Sequence, residues 1–230
     1  MPLLHHHPLC PHSRFIRLAL AEMEQSVSLA EERAWERRRE FLALDPAGRT
    51  PVFVEDGGGV VPGANTIAEY LHETRGDALG QIKLHGESAS ARVEVRRLME
   101  WFNVKFFEEV SGPLAHEKST RRFLTAGEGG GPPDMDALRA ARANIGYHLR
   151  YAGWLHGRRG WLAGDTLTFA DLAAAAHFSV CDYFGDMPWE QDETAKHWYA
   201  KMKSRPSMRV ILAERPAGIR PPAHYDNPDF

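Results

Sequence analysis

The chain has 230 residues, of which 43% are hydrophobic and 26% charged, and its formal net charge at pH 7 is −3. These values are typical of a globular protein whose core is shared by one large domain or two small ones. Such a small net charge favours neither nucleic acid nor a membrane as a partner, so we expect no nucleic-acid binding and no membrane insertion. The two cysteines, Cys10 and Cys181, make no disulfide framework and the start lacks a secretory pattern, so we expect a cytoplasmic protein.

Short apolar runs alternate with helical patterns over roughly the first 75 residues. The first helical pattern follows Cys10, and two valine-rich runs around Gly57–Gly59 predict a hairpin. Asn65 is a suitable N-cap for the helix that comes next. The resulting order, β-α-β-α-β-β-α, is that of a thioredoxin-like domain, which we place at residues 1–77.

After a linker that contains glycine, the pattern becomes helical throughout. Long helices are predicted at 92–110 and 134–155, and a capping box at Thr168–Asp171 begins a buried helix. We therefore predict an all-helical domain at residues 88–214. The remaining residues, 215–230, contain four prolines and few core-forming side chains, so we expect an extended tail that contributes little to the core.

Three segments, Leu3–Glu22, Phe41–Leu71 and Gly160–Ala174, resemble the soluble glutathione transferase superfamily. The resemblance implies its α/β plus all-α fold, with a thioredoxin-like domain before a helical bundle. It also implies that Cys10 occupies the position of the catalytic residue and that Arg49 lies near bound glutathione. Thr50-Pro51 falls at the position of a cis peptide bond that the family uses to contact glutathione.

The resemblance fails at one functional position, because Ala64-Asn65 stands where the family usually has Glu-Ser. Ala64 offers no charge to the ammonium group of glutathione, and losing one charged hydrogen bond costs about 1.5–3 kcal/mol. We therefore expect no catalysis, no cofactor and a vestigial glutathione site, whose positions are Cys10, Arg49, Thr50, Pro51, Ala64 and Asn65. The alternative is a cysteine-type glutathione transferase, or a thiol reductase, that uses Cys10 and binds glutathione.

Other residues favour a binding function. Trp35 opens a charged, irregular helix that is predicted to end at Leu44. Tryptophan and arginine are enriched in protein-binding hot spots, which draws attention to Trp35 and Arg37–Arg39. A solvent-exposed charged helix is the simpler interpretation. In the tail, Tyr225 and Phe230 indicate a peptide that docks on another protein or back on this one. His5–His7 alternate between two faces of a strand, so we expect no metal site.

Within the superfamily, the segments His5–Phe15, Pro62–Leu71 and Pro221–Phe230 resemble the transferase-like proteins of bacterial cell division that bind FtsZ polymers. The resemblance implies a homodimer without enzymatic activity. It further implies that the dimer binds and bundles FtsZ filaments at the division site and helps couple them to septal wall synthesis. The tail is the candidate contact with the wall-synthesis machinery.

Overall fold

The computed structural model describes residues 1–76 and 83–228. The N-terminal part contains a four-stranded sheet in the order β2-β1-β3-β4, in which β1 and β2 are parallel and the other pairs are antiparallel. Its strands are β1 (Leu3–His6), β2 (Ser28–Glu31), β3 (Val52–Val54) and β4 (Val60–Pro62), and its helices are α1 (Pro11–Glu22), α2 (Arg39–Leu44) and α3 (Ala64–Arg75). The predicted order of strands and helices is confirmed.

Two local predictions were wrong in this part. The charged helix is interrupted, because Arg37 adopts a left-handed conformation (φ +48°) between a 3₁₀ turn at Ala34–Glu36 and α2. Helix α3 begins two residues earlier than expected, with Gly63 rather than Asn65 at the N-cap. Gly63 has φ +86°, a conformation that glycine adopts without the steric cost that other residues incur.

The second part is helical. Helix α4 (Ala89–Glu100) continues as a π-helix over Trp101–Ser111, and it is followed by α5 (Gly112–Ala115), α6 (Met135–Arg159), α7 (Phe169–Tyr183), α8 (Glu193–Lys203) and α9 (Pro206–Leu212). Residues 77–82, which include half of the predicted linker, lie outside the described residues. In the parts of the chain that the structure describes, every helix is too short or too polar to cross a membrane.

Helix α7 is buried along its whole length and packs against α1, so the apolar core runs from the sheet into the bundle. The predicted capping box at its start is confirmed: the Asp171 carboxylate accepts hydrogen bonds from the backbone N–H and the hydroxyl of Thr168, both at 3.0 Å. Asp171 also accepts one from the Trp198 indole of α8 at 3.1 Å, so the cap fixes neighbouring helices as well.

The tail departs from its prediction. Its described residues form turns rather than helices or strands, yet Tyr225 is fully buried. The Tyr225 ring meets Tyr183 edge to face at 5.0 Å, and its hydroxyl accepts a hydrogen bond from Arg14 Nη1 at 3.0 Å. The expectation that the tail contributes little to the core was therefore wrong.

Candidate functional site

Cys10 lies at the N-cap of α1, at the edge of a cleft between the two parts of the protein. The chain turns sharply there, with the Cys10 N–H donating to the His7 carbonyl at 3.0 Å. The Cys10 thiol lies 3.6 Å from the Thr50 carbonyl oxygen. Pro11 at the first helical position fits a helix start, because its missing N–H is not needed there. The sequence thus places Cys10, a partly exposed residue, at a helix N-terminus.

The thiol is activated by its neighbours. Burial raises the pKa of Cys10, but a hydrogen bond and the charge of His12, together with Ser13, outweigh it and lower the pKa to about 7. Burial in turn lowers the pKa of His12, and the interaction with Cys10 raises it above its ordinary value. His12 Nε2 donates to the Asn103 carbonyl at 2.8 Å, which fixes the ring. A thiolate beside an imidazolium is the arrangement of a cysteine nucleophile.

A buried chain of hydrogen bonds forms the other wall of the cleft. The Asn103 amide nitrogen, on the π-helix, donates to the Asn65 side-chain oxygen at 2.6 Å. The side-chain oxygen of Asn103 accepts a hydrogen bond from His177 Nε2 at 3.0 Å, and His177 Nδ1 lies 2.8 Å from the Ser111 hydroxyl. Asn65 is therefore tied to the helical part of the protein. A π-helix of this length is unusual, and such segments are frequent at functional sites.

The cleft has a volume of about 590 Å³ and is lined by five of the six predicted glutathione-site positions: Cys10, Arg49, Thr50, Ala64 and Asn65. The sixth, Pro51, is buried behind them and follows Thr50 through a cis peptide bond. The first turn of α3 carries no acidic residue, and the Asn65 oxygen is already engaged. The first turn of α3 therefore offers no carboxylate to the cleft.

Trp35 lies at the surface in contact with a residue that the sequence did not single out. Its ring stacks on Phe123 at 5.7 Å with 10° between the planes, and His7 meets it edge to face at 5.1 Å. The guanidinium groups of Arg33 and Arg122 lie 5.5 and 4.7 Å from the centre of the Phe123 ring. Together these residues form a continuous aromatic and cationic area, which we name the Trp35–Phe123 surface.

The three arginines beside Trp35 differ in their contacts. Arg38 forms an ion pair with the buried carboxylate of Glu32, at 2.5 Å, so it holds the strand β2 region in place. Arg37 and Arg39 are exposed. Only these two are available to a partner without loss of a contact to a buried charge.

The two aromatic residues of the tail also differ. Tyr225 is buried in its own chain, so it does not offer its ring to another protein; of the two alternatives for this side chain, the structure has docking back on the chain. Phe230 lies outside the described residues.

His5 and His7 pack on Phe41 and Trp35, while His6 is buried on the opposite face of β1. Among the described residues, no three His, Cys, Asp or Glu side chains are placed to hold a metal ion.

Sequence reasoning missed His12, Asn103, Phe123 and Arg14. His12 could have been considered, because it lies two residues after Cys10 and a neighbouring histidine can lower the pKa of a thiol. Asn103 and Phe123 come from the helical part of the chain, and nothing in their local sequence indicates that they meet the cleft or Trp35.

Comparison with known proteins agrees with this architecture. The N-terminal domain profile of glutathione S-transferases matches residues 4–78, and the C-terminal domain profile matches residues 124–206. A crystal structure of a glutathione S-transferase from Sinorhizobium meliloti 1021 is 48% identical, covers all of both chains and superposes with a TM-score of 0.97.

Two comparisons lead to a protein of Caulobacter. FtsZ-localized protein A of Caulobacter vibrioides is 45% identical over 99% of this chain and 97% of its own. The structure of FzlA from C. crescentus is 45% identical, covers 100% of this chain and 99% of its own, and has a TM-score of 0.92. The two domain profiles, the full-length relatives and the fold all lead to one conclusion: this chain belongs to the glutathione S-transferase family.

Proposed function

We propose that this protein acts in bacterial cell division by binding FtsZ polymers, in the cytoplasm at the division site, and that it does so without catalysis. The observation that carries the proposal is the 45% identity, over 99% of this chain, to a protein named FtsZ-localized protein A. The α3 end of the cleft supports it, because the first turn of that helix has no acid to pair with the ammonium group of glutathione.

The Trp35–Phe123 surface is the best candidate for the filament contact. It joins two stacked aromatic rings to the exposed cations Arg33 and Arg122, with Arg37 and Arg39 nearby. Aromatic and arginine side chains are the residues that dominate protein-protein binding energy. Because Trp35 and Phe123 come from different parts of the chain, the surface exists only in the folded protein. Its charge favours an acidic partner surface.

A second exposed face supports a homodimer. Trp101, Tyr147, Tyr151 and Trp154 form an aromatic stripe on α6 and the adjoining π-helix, in which Tyr147 is 53% and Trp154 49% exposed. A stripe of this kind on the surface of a monomer is unusual and marks an interaction site. We assign it to a second copy of the chain. A symmetric dimer would carry two filament-binding surfaces and would cross-link filaments into bundles.

The contact with the septal wall-synthesis machinery is assigned to the tail outside its buried anchor. Between Arg215 and Asp226 the chain forms a proline-rich loop that these two residues close with an ion pair at 2.5 Å. Arg220 and the prolines before Tyr225 remain at least partly exposed on this loop. Proline-rich segments are frequent recognition elements for protein partners.

The proposal is tested by co-sedimentation with polymers of FtsZ from C. vibrioides, with and without GTP. We expect the protein to pellet only when GTP supports polymers, and we expect bundles by electron microscopy. Absence of pelleting, under conditions in which FtsZ itself sediments, would contradict the cell-division function.

The dimer is tested with the double variant Tyr147→Glu/Trp154→Glu, which should bind filaments without bundling them. Its molar mass in solution, measured by light scattering, should be that of a monomer. Arg209→Glu changes the net charge equally at an exposed position of α9, and it should still bundle. Bundling by the monomeric double variant would show that divalence is not the mechanism.

The geometry of Cys10 favours one second candidate, a cysteine-type transferase or thiol reductase. Its thiolate, with a pKa of about 7 beside His12, would attack a sulfur of a small disulfide, form a mixed disulfide and release the other thiolate. This enzyme would lose all turnover in Cys10→Ala and would bind glutathione at millimolar concentration or below. Filament binding that is unchanged in Cys10→Ala, with no turnover in the parent protein, would exclude this alternative.

A further inference from the structure

Arg14, on α1, is a buried cation without a carboxylate on it among the described residues. Its side chain is fully buried, and its guanidinium donates hydrogen bonds to neutral oxygens instead of to a carboxylate. Nε donates to the Pro8 carbonyl at 2.7 Å, and Nη1 donates to the Ser179 hydroxyl at 2.9 Å and to the Tyr225 hydroxyl at 3.0 Å. A buried charge held this way depends on every one of its hydrogen bonds.

The same residue fixes the backbone around Cys10. The Arg14 N–H donates to the Cys10 carbonyl at 3.0 Å, which forms the first turn of α1. Its guanidinium holds Pro8, two residues before Cys10, by the bond described above. The position of the thiol relative to His12 therefore depends on where the Arg14 side chain lies.

The tail supplies the other end of this arrangement. Tyr225 packs on Tyr183, and beside it the His224 ring lies 2.9 Å from the Asp182 carboxylate, while Lys203 donates to the His224 carbonyl at 2.9 Å. These contacts seat the tail on the seam between α1 and α7. A continuous set of contacts thus runs from the Tyr225 hydroxyl through Arg14 to the turn that carries Cys10.

We propose that docking of the tail controls the Cys10 site, with Tyr225 acting as a positioning residue for the thiol through Arg14. When the tail is docked, Arg14 is held against Pro8 and the turn is fixed. When the tail is released, water reaches the guanidinium and Arg14 no longer fixes the turn. The Cys10 thiol is then no longer held in place beside His12. By linkage, a ligand in the cleft and a partner that takes the tail would then affect each other's binding. This coupling between the tail and Cys10 does not require FtsZ binding.

The charges around Cys10 make the proposal testable. Helix α1 contributes His12, the loop before the cis peptide bond contributes Asp45 and Arg49, and the π-helix contributes Glu108. None of these belongs to the tail. A change in the titration of Cys10 on substitution in the tail must therefore be transmitted through the structure rather than come from a lost neighbouring charge.

The test is the rate of alkylation of Cys10 by iodoacetamide between pH 5.5 and 9.5, measured by peptide mass spectrometry on the full chain. In Tyr225→Phe we expect the midpoint of the rate profile to rise by about half a unit, which lowers the rate at pH 7 about twofold. Ser179→Ala removes the other partner of Arg14 Nη1 and should shift the midpoint in the same direction.

Arg220→Ala, an exposed position of the same tail, is the matched control and should leave the profile unchanged. Alkylation of Cys181, which is fully buried, reports global unfolding in the same experiment. An unchanged Cys10 midpoint in Tyr225→Phe and Ser179→Ala would overturn the proposal. So would an equal acceleration of Cys10 and Cys181, because it would show general loosening instead of a positioned thiol.

Discussion

Trp35 and Tyr225 both stand out in the sequence as aromatic residues in charged or proline-rich surroundings, yet they end in opposite environments. Trp35 stays at the surface and stacks on Phe123, which is itself 47% exposed. Tyr225 is fully buried against Arg14 and Tyr183. The two residues differ in the groups that they contact. The buried guanidinium of Arg14 needs a hydrogen-bond acceptor, which favours burial of the Tyr225 hydroxyl. Trp35 contacts a ring and lies near cations that are themselves exposed to water, so nothing requires its burial.

The largest effect should come from removing the buried member of this pair. Tyr225→Ala leaves a cavity and removes one of the three side-chain hydrogen bonds of the buried Arg14 cation, so we expect a loss of about 3–5 kcal/mol in the free energy of unfolding. Deletion of residues 221–230 should cost at least as much. Urea titration measures both, with the exposed Arg220→Ala as the control. A midpoint that matches the parent protein in Tyr225→Ala would mean that the tail is not seated in solution.

The exposed member should matter for binding instead. Phe123→Ala should weaken FtsZ-filament binding by about 2 kcal/mol, or roughly 30-fold, with little change in stability. Trp35→Ala should act in the same direction, although it also removes the contact with His7. Co-sedimentation over a range of concentrations gives the affinity. Leu29→Ala is the control, because Leu29 is equally exposed at 47%; equal losses in Phe123→Ala and Leu29→Ala would remove the Trp35–Phe123 surface from the mechanism.

His7 lies between the two regions, since it contacts Trp35 and feels the charge of Arg14. Burial, then Arg14 and Arg33, lower its pKa to about 4. The unfolded chain, with an ordinary value near 6.5, therefore binds more protons between these values, and stability should fall as the pH drops from about 6.5 to 4. Melting temperatures across this range measure the slope. His7→Asn, which keeps an acceptor for the Leu9 N–H, should reduce the slope without abolishing it, because burial also lowers the pKa of His6 to about 4. An identical slope would assign the acid sensitivity elsewhere.

The smallest effects should distinguish the arginines beside Trp35. Arg39→Glu should reduce filament binding about two- to fivefold, more at low salt than at high salt, and leave the melting temperature unchanged. Arg38→Glu should instead lower the melting temperature, because Glu32 is left buried beside a like charge. A stability loss in Arg39→Glu would contradict the view that this side chain only faces solvent.

Much of the fold could be predicted because its signals are local. The hairpin around Gly57–Gly59, the start of α1 after Cys10 and the capping box at Thr168–Asp171 each depend on residues a few positions apart. A local signal fails where a residue from a distant part of the chain competes for the same side chain. Asn65 has the chemistry of an N-cap, and yet its oxygen bonds Asn103 of the helical part while Gly63 caps the helix.

The candidate site shows the same division. The sequence by itself determined which residues line one side of the cleft, because Cys10, Arg49 and Thr50 lie in segments that resemble the glutathione transferase superfamily, and all three line the cleft. Only the tertiary structure decided what faces them. Asn103, Phe123 and Tyr225 reach Asn65, Trp35 and Arg14 across long stretches of chain, and such pairs form only when the chain is folded. A long-range contact leaves no periodic pattern in the sequence, because each of its two residues could pack against many other residues.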